Sequence, residues 1–328
     1  MDNEITVEEL KAELRSGARA ILQVRHAERP KIAPDDPTFG DALHLTREGR
    51  RTARLLGESL AEFAGDVAFA SSPLTRTRET AECIAEGMGL GGAPVPTDGR
   101  IGNESFFYDD PAEVLRVFND KDFFEACFEY FEKGTLSGFK DLHSAADALE
   151  AWLDGQAAGR RLFVSVTHDC FIAAFLAARR AYGPFSRGNW VRFLDAGATL
   201  VYPDGTRRYA LVRAGLSHGI CGVRPTRGVV FGFGGSPEGV RDPETLAWMR
   251  ELRERGFRLD VLSGEERMLK PQARIYDLVR DRMGLHSDEL CLIDDVEENC
   301  EGARRCGWHA VRFRDCAQAR RDFMERFG

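Results

Sequence analysis

Short β-type runs alternate with helix-type runs along the whole chain. That alternation restricts the fold to an α/β architecture with largely parallel strands. The first run, at residues 20–24, leads after a loop to the helical stretch TREGRRTARLLGESLAEFA. Thr46 is its expected N-cap, with Glu48 in the electropositive first turn. The second run, DVAFASS, is followed by a helix through RTRETAECIAEGMG, and the third, RLFVSVTH, by the apolar helix CFIAAFLAARRAYG. ATLVYP and RYALVRA read as a hairpin turning at Asp204-Gly205. Residues 104–139 are helical in pattern and crowded with Phe and Tyr, as expected of an insert that caps a pocket. A Gly-rich stretch, AGLSHGICGVRPTRG, then separates a second series: GVVFGFGG, a helix at 243–255, RLDVLS, a helix at 271–283, ELCLIDD and HAVRFRD. A chain of 328 residues is expected to form two domains. We place them at 1–221 and 222–328, each a mostly parallel sheet flanked by helices.

The balance of charge narrows the function classes. A net charge of −8 argues against a general nucleic-acid binder. No apolar run reaches the ~18 residues of a membrane span. The N-terminus, MDNEITVEELKAELRSGARA, reads as an amphipathic helix and not a secretory signal. Its eight cysteines form no CxxC pair or zinc-type array, so they are expected to be reduced core residues of a cytoplasmic protein that holds no metal.

Three strand ends carry the chemistry, because ligands of parallel sheets gather at the carboxyl ends of the strands. The first delivers Arg25, His26 and Arg29, the second SSPLTRTRET with Arg76, and the third VTHDC with His168 and Asp169. Arginine presents a planar fork of donors matched to phosphate oxygens. Clustered guanidiniums also oppose protonation of His26, leaving a ring nitrogen free to attack phosphorus. A second histidine can stabilise the equatorial oxygens of the transferring group, and a neighbouring acid can protonate the leaving oxygen. That scheme requires neither metal nor organic cofactor. Arg78 is expected to face solvent, His143 to lie exposed on a helix, Glu28 to pair locally, and Cys170 to be a buried thiol at a helix start.

VRHAERP, LTREGRRTARLLGESL, ASSPLTRTRETA and VTHD, spread over roughly residues 18–215, resemble the motifs of the histidine phosphatases of the phosphoglycerate-mutase-like fold. The resemblance implies that His26 is phosphorylated and that Arg25, Arg29, Arg76 and His168 bind the phosphate. RHAERP, with Ala27 in place of the usual glycine, is more similar to the acid-phosphatase branch, as is the His168-Asp169 pair, which implies Asp169 as proton donor. In the mutase-like branch the donor is a glutamate further along, and Glu104 in GRIGNESFF is its counterpart here.

The second series resembles the haloacid dehalogenase superfamily in RGVVFGFGGSPEG, MLKPQARIYDLV and LCLIDDVEENCEGARRCGWHAVRF. Where that family has its nucleophilic aspartate, this chain has Gly232; Lys270, Asp294 and Asp295 remain, and Ser263 is the candidate for its second motif. Glycine has no carboxylate with which to attack phosphorus or ligate Mg²⁺. The short spacing before the lysine motif also leaves little room for a full core sheet. The second domain is therefore expected to be degenerate, kept for packing, homo-oligomerisation or binding. For the whole chain the expectation is a phosphatase acting on a small phosphorylated substrate, with no nucleic-acid or membrane partner. A phosphomutase using the same phosphohistidine, or a non-catalytic phospho-ligand binder, is the alternative.

Overall fold

The computed structural model describes residues 3–32, 40–216, 228–232, 242–261 and 270–327. The chain divides into two compact units, Met1–Gly222 and Val223–Gly328. In the first, the elements are β1 (Glu4–Thr6), α1 (Val7–Arg15), β2 (Arg19–Arg25), α2 (Arg47–Leu60), β3 (Val67–Ser71), α3 (Thr75–Gly87), α4 (Pro111–Asp120), α5 (Phe123–Lys133), α6 (Leu142–Gln156), β4 (Leu162–Thr167), α7 (Asp169–Ala178), β5 (Ala196–Val201) and β6 (Arg207–Arg213). They build one six-stranded sheet in the order β1-β6-β5-β2-β4-β3.

β2, β4 and β3 lie side by side and parallel, with Arg25 opposite Thr167 and Ser71 opposite Val166. All six residues of β4 are buried, as expected of a central strand covered on both faces. The hairpin expected at Asp204-Gly205 is present: β5 and β6 run antiparallel through a tight turn with Gly205 at φ +85 and a Tyr202 N–H to Thr206 carbonyl bond of 3.0 Å. β5 also pairs antiparallel with β2, which makes the largely parallel sheet a mixed one. The N-terminal stretch likewise contains more than a helix. Glu4–Thr6 pairs with β6 before α1 begins, and three residues are too few to carry a strand periodicity.

The helices are placed by features visible in the sequence. Thr46 caps α2, its Oγ1 accepting from the Gly49 N–H at 2.9 Å. A Cβ on Gly49 would meet the Glu28 carbonyl oxygen at 2.2 Å, so only glycine lets the start of α2 rest against the loop that follows β2. α2 and α3 touch backbone to backbone by the same means: a Cβ on Gly57 or Gly87 would lie 2.1 Å from a carbonyl oxygen of the facing helix. α7 is apolar around most of its circumference, with Phe171, Ile172, Phe175 and Leu176 all buried, and so sits in the core.

The second unit comprises β7 (Gly228–Phe231), α8 (Pro243–Glu254), β8 (Arg258–Val261), α9 (Ala273–Met283), β9 (Leu290–Asp294), α10 (Glu297–Arg305), β10 (His309–Arg312) and α11 (Cys316–Phe327). Its four strands are all parallel, in the order β10-β9-β7-β8. The spacing that left little room for a full sheet still accommodates four short strands. Two apolar clusters pack this unit, one around Trp248 and Phe323, the other around Tyr276 and Trp308. Ser263 lies outside the described residues. Among the described residues no helix is long and apolar enough to cross a membrane.

Candidate active site

Because β2, β4 and β3 are adjacent, their carboxyl ends bring the three sequence segments together. His26 and His168 face each other with ring centroids 5.5 Å apart, and both are almost wholly buried. Burial is the largest influence on each ring. The Arg76, Arg25 and Arg29 guanidiniums act in the same direction, and both imidazoles are held well below the ordinary histidine range. At neutral pH both rings are uncharged. His26 Nδ1 lies 2.8 Å from the Ala27 carbonyl oxygen, which can only accept. The ring proton therefore resides on Nδ1, and Nε2 keeps its lone pair. Ala27, where glycine was usual, is accommodated: its N–H donates to Thr80 Oγ1 at 2.9 Å and its side chain is buried.

The arginines are held individually. Arg25 Nη1 donates to the Val191 carbonyl at 2.6 Å, Nη2 pairs with Asp169 Oδ2 at 3.1 Å, and the guanidinium stacks 4.4 Å over the Phe193 ring. Arg76 Nη1 donates to the Gly40 carbonyl at 2.6 Å, while its Nε is buried with no hydrogen-bond partner among the described residues. A buried, unsatisfied N–H on a guanidinium costs free energy that an arriving anion would recover. Burial draws Arg76 down to about 10, opposed by Asp41 and Asp169, so it remains charged at neutral pH. Arg29 Nη1 donates to the Pro30 carbonyl at 2.8 Å.

Two residues that sequence reading singled out as carboxylate donors occupy different settings. Asp169 opens α7 and sits beside the pocket. Its Oδ2 accepts from Trp190 Nε1 at 2.8 Å in addition to the Arg25 pair. Glu104 is exposed, with its carboxylate turned back over Gly99, where a Cβ would meet Oε2 at 2.6 Å. Its segment still borders the site, since Thr167 Oγ1 donates to the Ile101 carbonyl at 2.8 Å. Arg78 and His143 are exposed. Glu28 pairs locally, accepting from Thr46 Oγ1 at 2.8 Å. Cys170 is partly buried, and burial pushes its thiol well up.

Several residues around the site carried no sequence signal of their own. Ser72 Oγ lies 3.2 Å from His168 Nε2 and 2.8 Å from Thr77 Oγ1, so these two hydroxyls orient the second histidine. Phe193 packs against His26 and Arg25. Trp190 and Phe193 come from the irregular stretch before β5, which Arg213 of β6 pins by donating to the Trp190 carbonyl at 2.9 Å and to Asp195 at 2.7 Å. The Phe-rich insert spends most of its aromatic surface on internal packing. Phe123, Phe124, Phe128 and Phe131 all contact the Trp190 ring. Only Phe107 and Tyr108 reach Phe171, which stands edge-on to His168 at 5.9 Å.

In the second unit the corresponding strand-end position is closed. Lys270 Nζ donates to the Gly232 carbonyl and to Asp294 Oδ2. The other Asp294 oxygen accepts from the Val296 N–H at 2.9 Å and from Asn299 Nδ2 at 3.0 Å. A Cβ on Gly232 would lie 2.0 Å from Asp294 Oδ2, so no side chain at that position fits the arrangement seen. Among the described residues, Gly232 offers no carboxylate for a divalent cation, and both oxygens of Asp294 are engaged within the fold.

The sequence model of the histidine phosphatase superfamily (branch 1) matches residues 21–209. It gives no support to the acid-phosphatase-branch flavour of the residues around His26. The chain is similar to the solved structure of a mycobacterial glucosyl-3-phosphoglycerate phosphatase, at 19% identity over 59% of this chain and 97% of that one, with a TM-score of 0.40. It is also similar to Bacillus stearothermophilus YhfR, at 18% identity over 61% of this chain and 100% of that one, with a TM-score of 0.40. A phosphoglycerate mutase from Bacillus anthracis matches at 15% identity, over 61% of this chain and 95% of that one, with a TM-score of 0.39.

Proposed function

The chain belongs to the histidine phosphatase superfamily, branch 1, and on that premise we propose that it hydrolyses a small phosphomonoester through a phosphohistidine at His26. One observation carries the reading. A buried imidazole, kept neutral by burial and three arginines, has its proton committed to the Ala27 carbonyl and Nε2 left as the nucleophile. Nε2 forms the N–P bond as the ester O–P bond breaks, and the leaving oxygen takes a proton from Asp169. Water then attacks the phosphohistidine, giving its proton to Asp169, and the P–N electron pair returns to Nε2. Arg25, Arg29 and Arg76 neutralise the transferring group, and His168, held by Ser72, stabilises its equatorial oxygens. The arginines supply the positive charge, so the scheme uses no metal. The free thiols among the described cysteines accord with a cytoplasmic setting.

Hydrolysis is favoured over a mutase cycle by the insert. A mutase must bind a second phosphate, yet Arg116, Lys121 and Lys133 of α4, α5 and the turn between them are already paired with Glu113 and Glu129. The second unit is assigned as a degenerate haloacid-dehalogenase-like domain, because Lys270 and Asp294 neutralise each other beside a glycine.

The test is phosphate release from a panel of small phosphomonoesters, with and without EDTA, beside a His26→Ala control. Release that survives EDTA and disappears in the variant supports the assignment. Release abolished by EDTA and retained in the variant assigns catalysis to the second unit. Phosphate exchange between esters without net release favours the mutase, and binding with neither reaction favours a non-catalytic role.

A further inference from the structure

A second cavity lies away from the phosphate pocket. It has a volume of about 600 Å³ and is lined by Phe128, Phe131, Tyr182 and Phe185, with Glu132 and Arg180 adding one charge of each sign. None of His26, His168, Arg25, Arg29 or Arg76 lines it. Its contact with α7 is Ala177, near the end of the helix opposite Asp169. At 1.5 Å rise per residue, that places the two sites ~12 Å apart along the helix axis. The volume is in the range of small-molecule sites, as is the mixture of aromatic walls and few polar groups.

The charges identify what such a site would hold. The neighbours of these two residues in sequence are satisfied: Lys133 pairs with Glu129, and Arg179 with Asp147 and Glu150. Glu132 and Arg180 are exposed, and among the described residues their side chains make no ion pair or hydrogen bond, although the Arg180 backbone N–H donates to the Ala177 carbonyl at 3.0 Å. Arg180 also holds a left-handed backbone, φ +50, which L residues adopt uncommonly. One carboxylate and one guanidinium, both uncommitted, flank four aromatic rings.

We propose that this cavity binds a small zwitterion with an apolar body, of the chemical class of a free amino acid with an aromatic or large aliphatic side chain. Its carboxylate meets the Arg180 fork and its ammonium meets Glu132 and the adjoining ring faces. Its side chain packs among Phe128, Phe131 and Phe185. This assignment is independent of the phosphatase reading. Phe128, Phe131 and Phe185 also contact the buried Trp190 ring, which gives the site an optical reporter.

The experiment titrates the full-length protein with L-phenylalanine and L-leucine, following calorimetric heat and tryptophan fluorescence. Phenethylamine and 3-phenylpropanoate, each keeping one of the two charges, serve as comparison probes. Saturable binding of the zwitterions is expected, weakened about tenfold or more for either single-charge probe and in either Arg180→Gln or Glu132→Gln. Both substitutions are at exposed positions outside the catalytic machinery, so phosphatase turnover without added amino acid should be unchanged. The proposal fails if no probe saturates up to ~10 mM. It also fails if the single-charge probes bind as tightly as the zwitterions, or if both variants bind like the wild type.

Discussion

Both units end parallel strands with charged groups, and the two ends have opposite fates. In the first, three guanidiniums surround two neutral histidines, and the buried Nε of Arg76 has no acceptor among the described residues. In the second, Lys270 is bound by the Asp294 carboxylate and the Gly232 carbonyl. A cationic pocket with donors to spare draws an anion in, whereas a cation neutralised within the fold has no such demand. The proposed nucleophile follows the same division, since His26 keeps a lone pair and Gly232 has no side chain. Two units with similar parallel strands thus differ in the residual charge and the reactive atom at their ends.

The comparison breaks most sharply at its two centres. His26→Gln should lower turnover by more than about 10⁴-fold, while Lys270→Gln leaves it unchanged. Steady-state phosphate release on the two purified variants measures both. The next effect concerns the proton donor. Asp169→Asn should slow hydrolysis of alkyl phosphates by about 10²–10⁴-fold and spare esters whose leaving group needs no proton, such as p-nitrophenyl phosphate. Glu104→Gln showing that pattern instead would move the donor to Glu104.

Gly232→Ala tests whether the second strand end is as closed as its contacts imply. The new Cβ meets Asp294 Oδ2 at 2.0 Å and Lys270 Nζ at 2.8 Å, so a loss of about 1–3 kcal/mol in the second unit is expected, with phosphatase activity untouched. Denaturant melts followed by circular dichroism report the first quantity.

A further effect is a pH dependence of the first unit. Both histidines titrate well below the ordinary value of 6.5 when folded. On acidification from about pH 6.5 the unfolded chain binds protons that the folded one refuses, so stability falls as pH drops. The slope is about 1.4 kcal/mol per pH unit for each imidazole. His26→Ala should halve that slope in chemical-denaturation series between pH 6.5 and 5, and an unchanged slope would place the titration elsewhere.

Much of this protein was legible from the chain. Strand and helix order, the Thr46 cap, the hairpin at Asp204-Gly205 and the grouping of His26, Arg76 and His168 follow from local pattern, because each depends on neighbours close in sequence or on the general rule that ligands gather at strand ends. The antiparallel β5, the short β1 and the company kept by Asp169 did not. β5 is an apolar run that reads the same in either direction, so its antiparallel pairing with β2, unlike the hairpin to β6, carries no local signal. Asp169 meets Trp190 from an irregular segment with no periodicity to read. In the second unit the sequence by itself determined that position 232 carries no carboxylate, since residue identity alone decides that. Only the tertiary structure decided where the remaining charge went. Lys270 and Asp294 are 24 residues apart, and their mutual neutralisation depends on the turn before α9 reaching the carboxyl end of β9 in the folded unit.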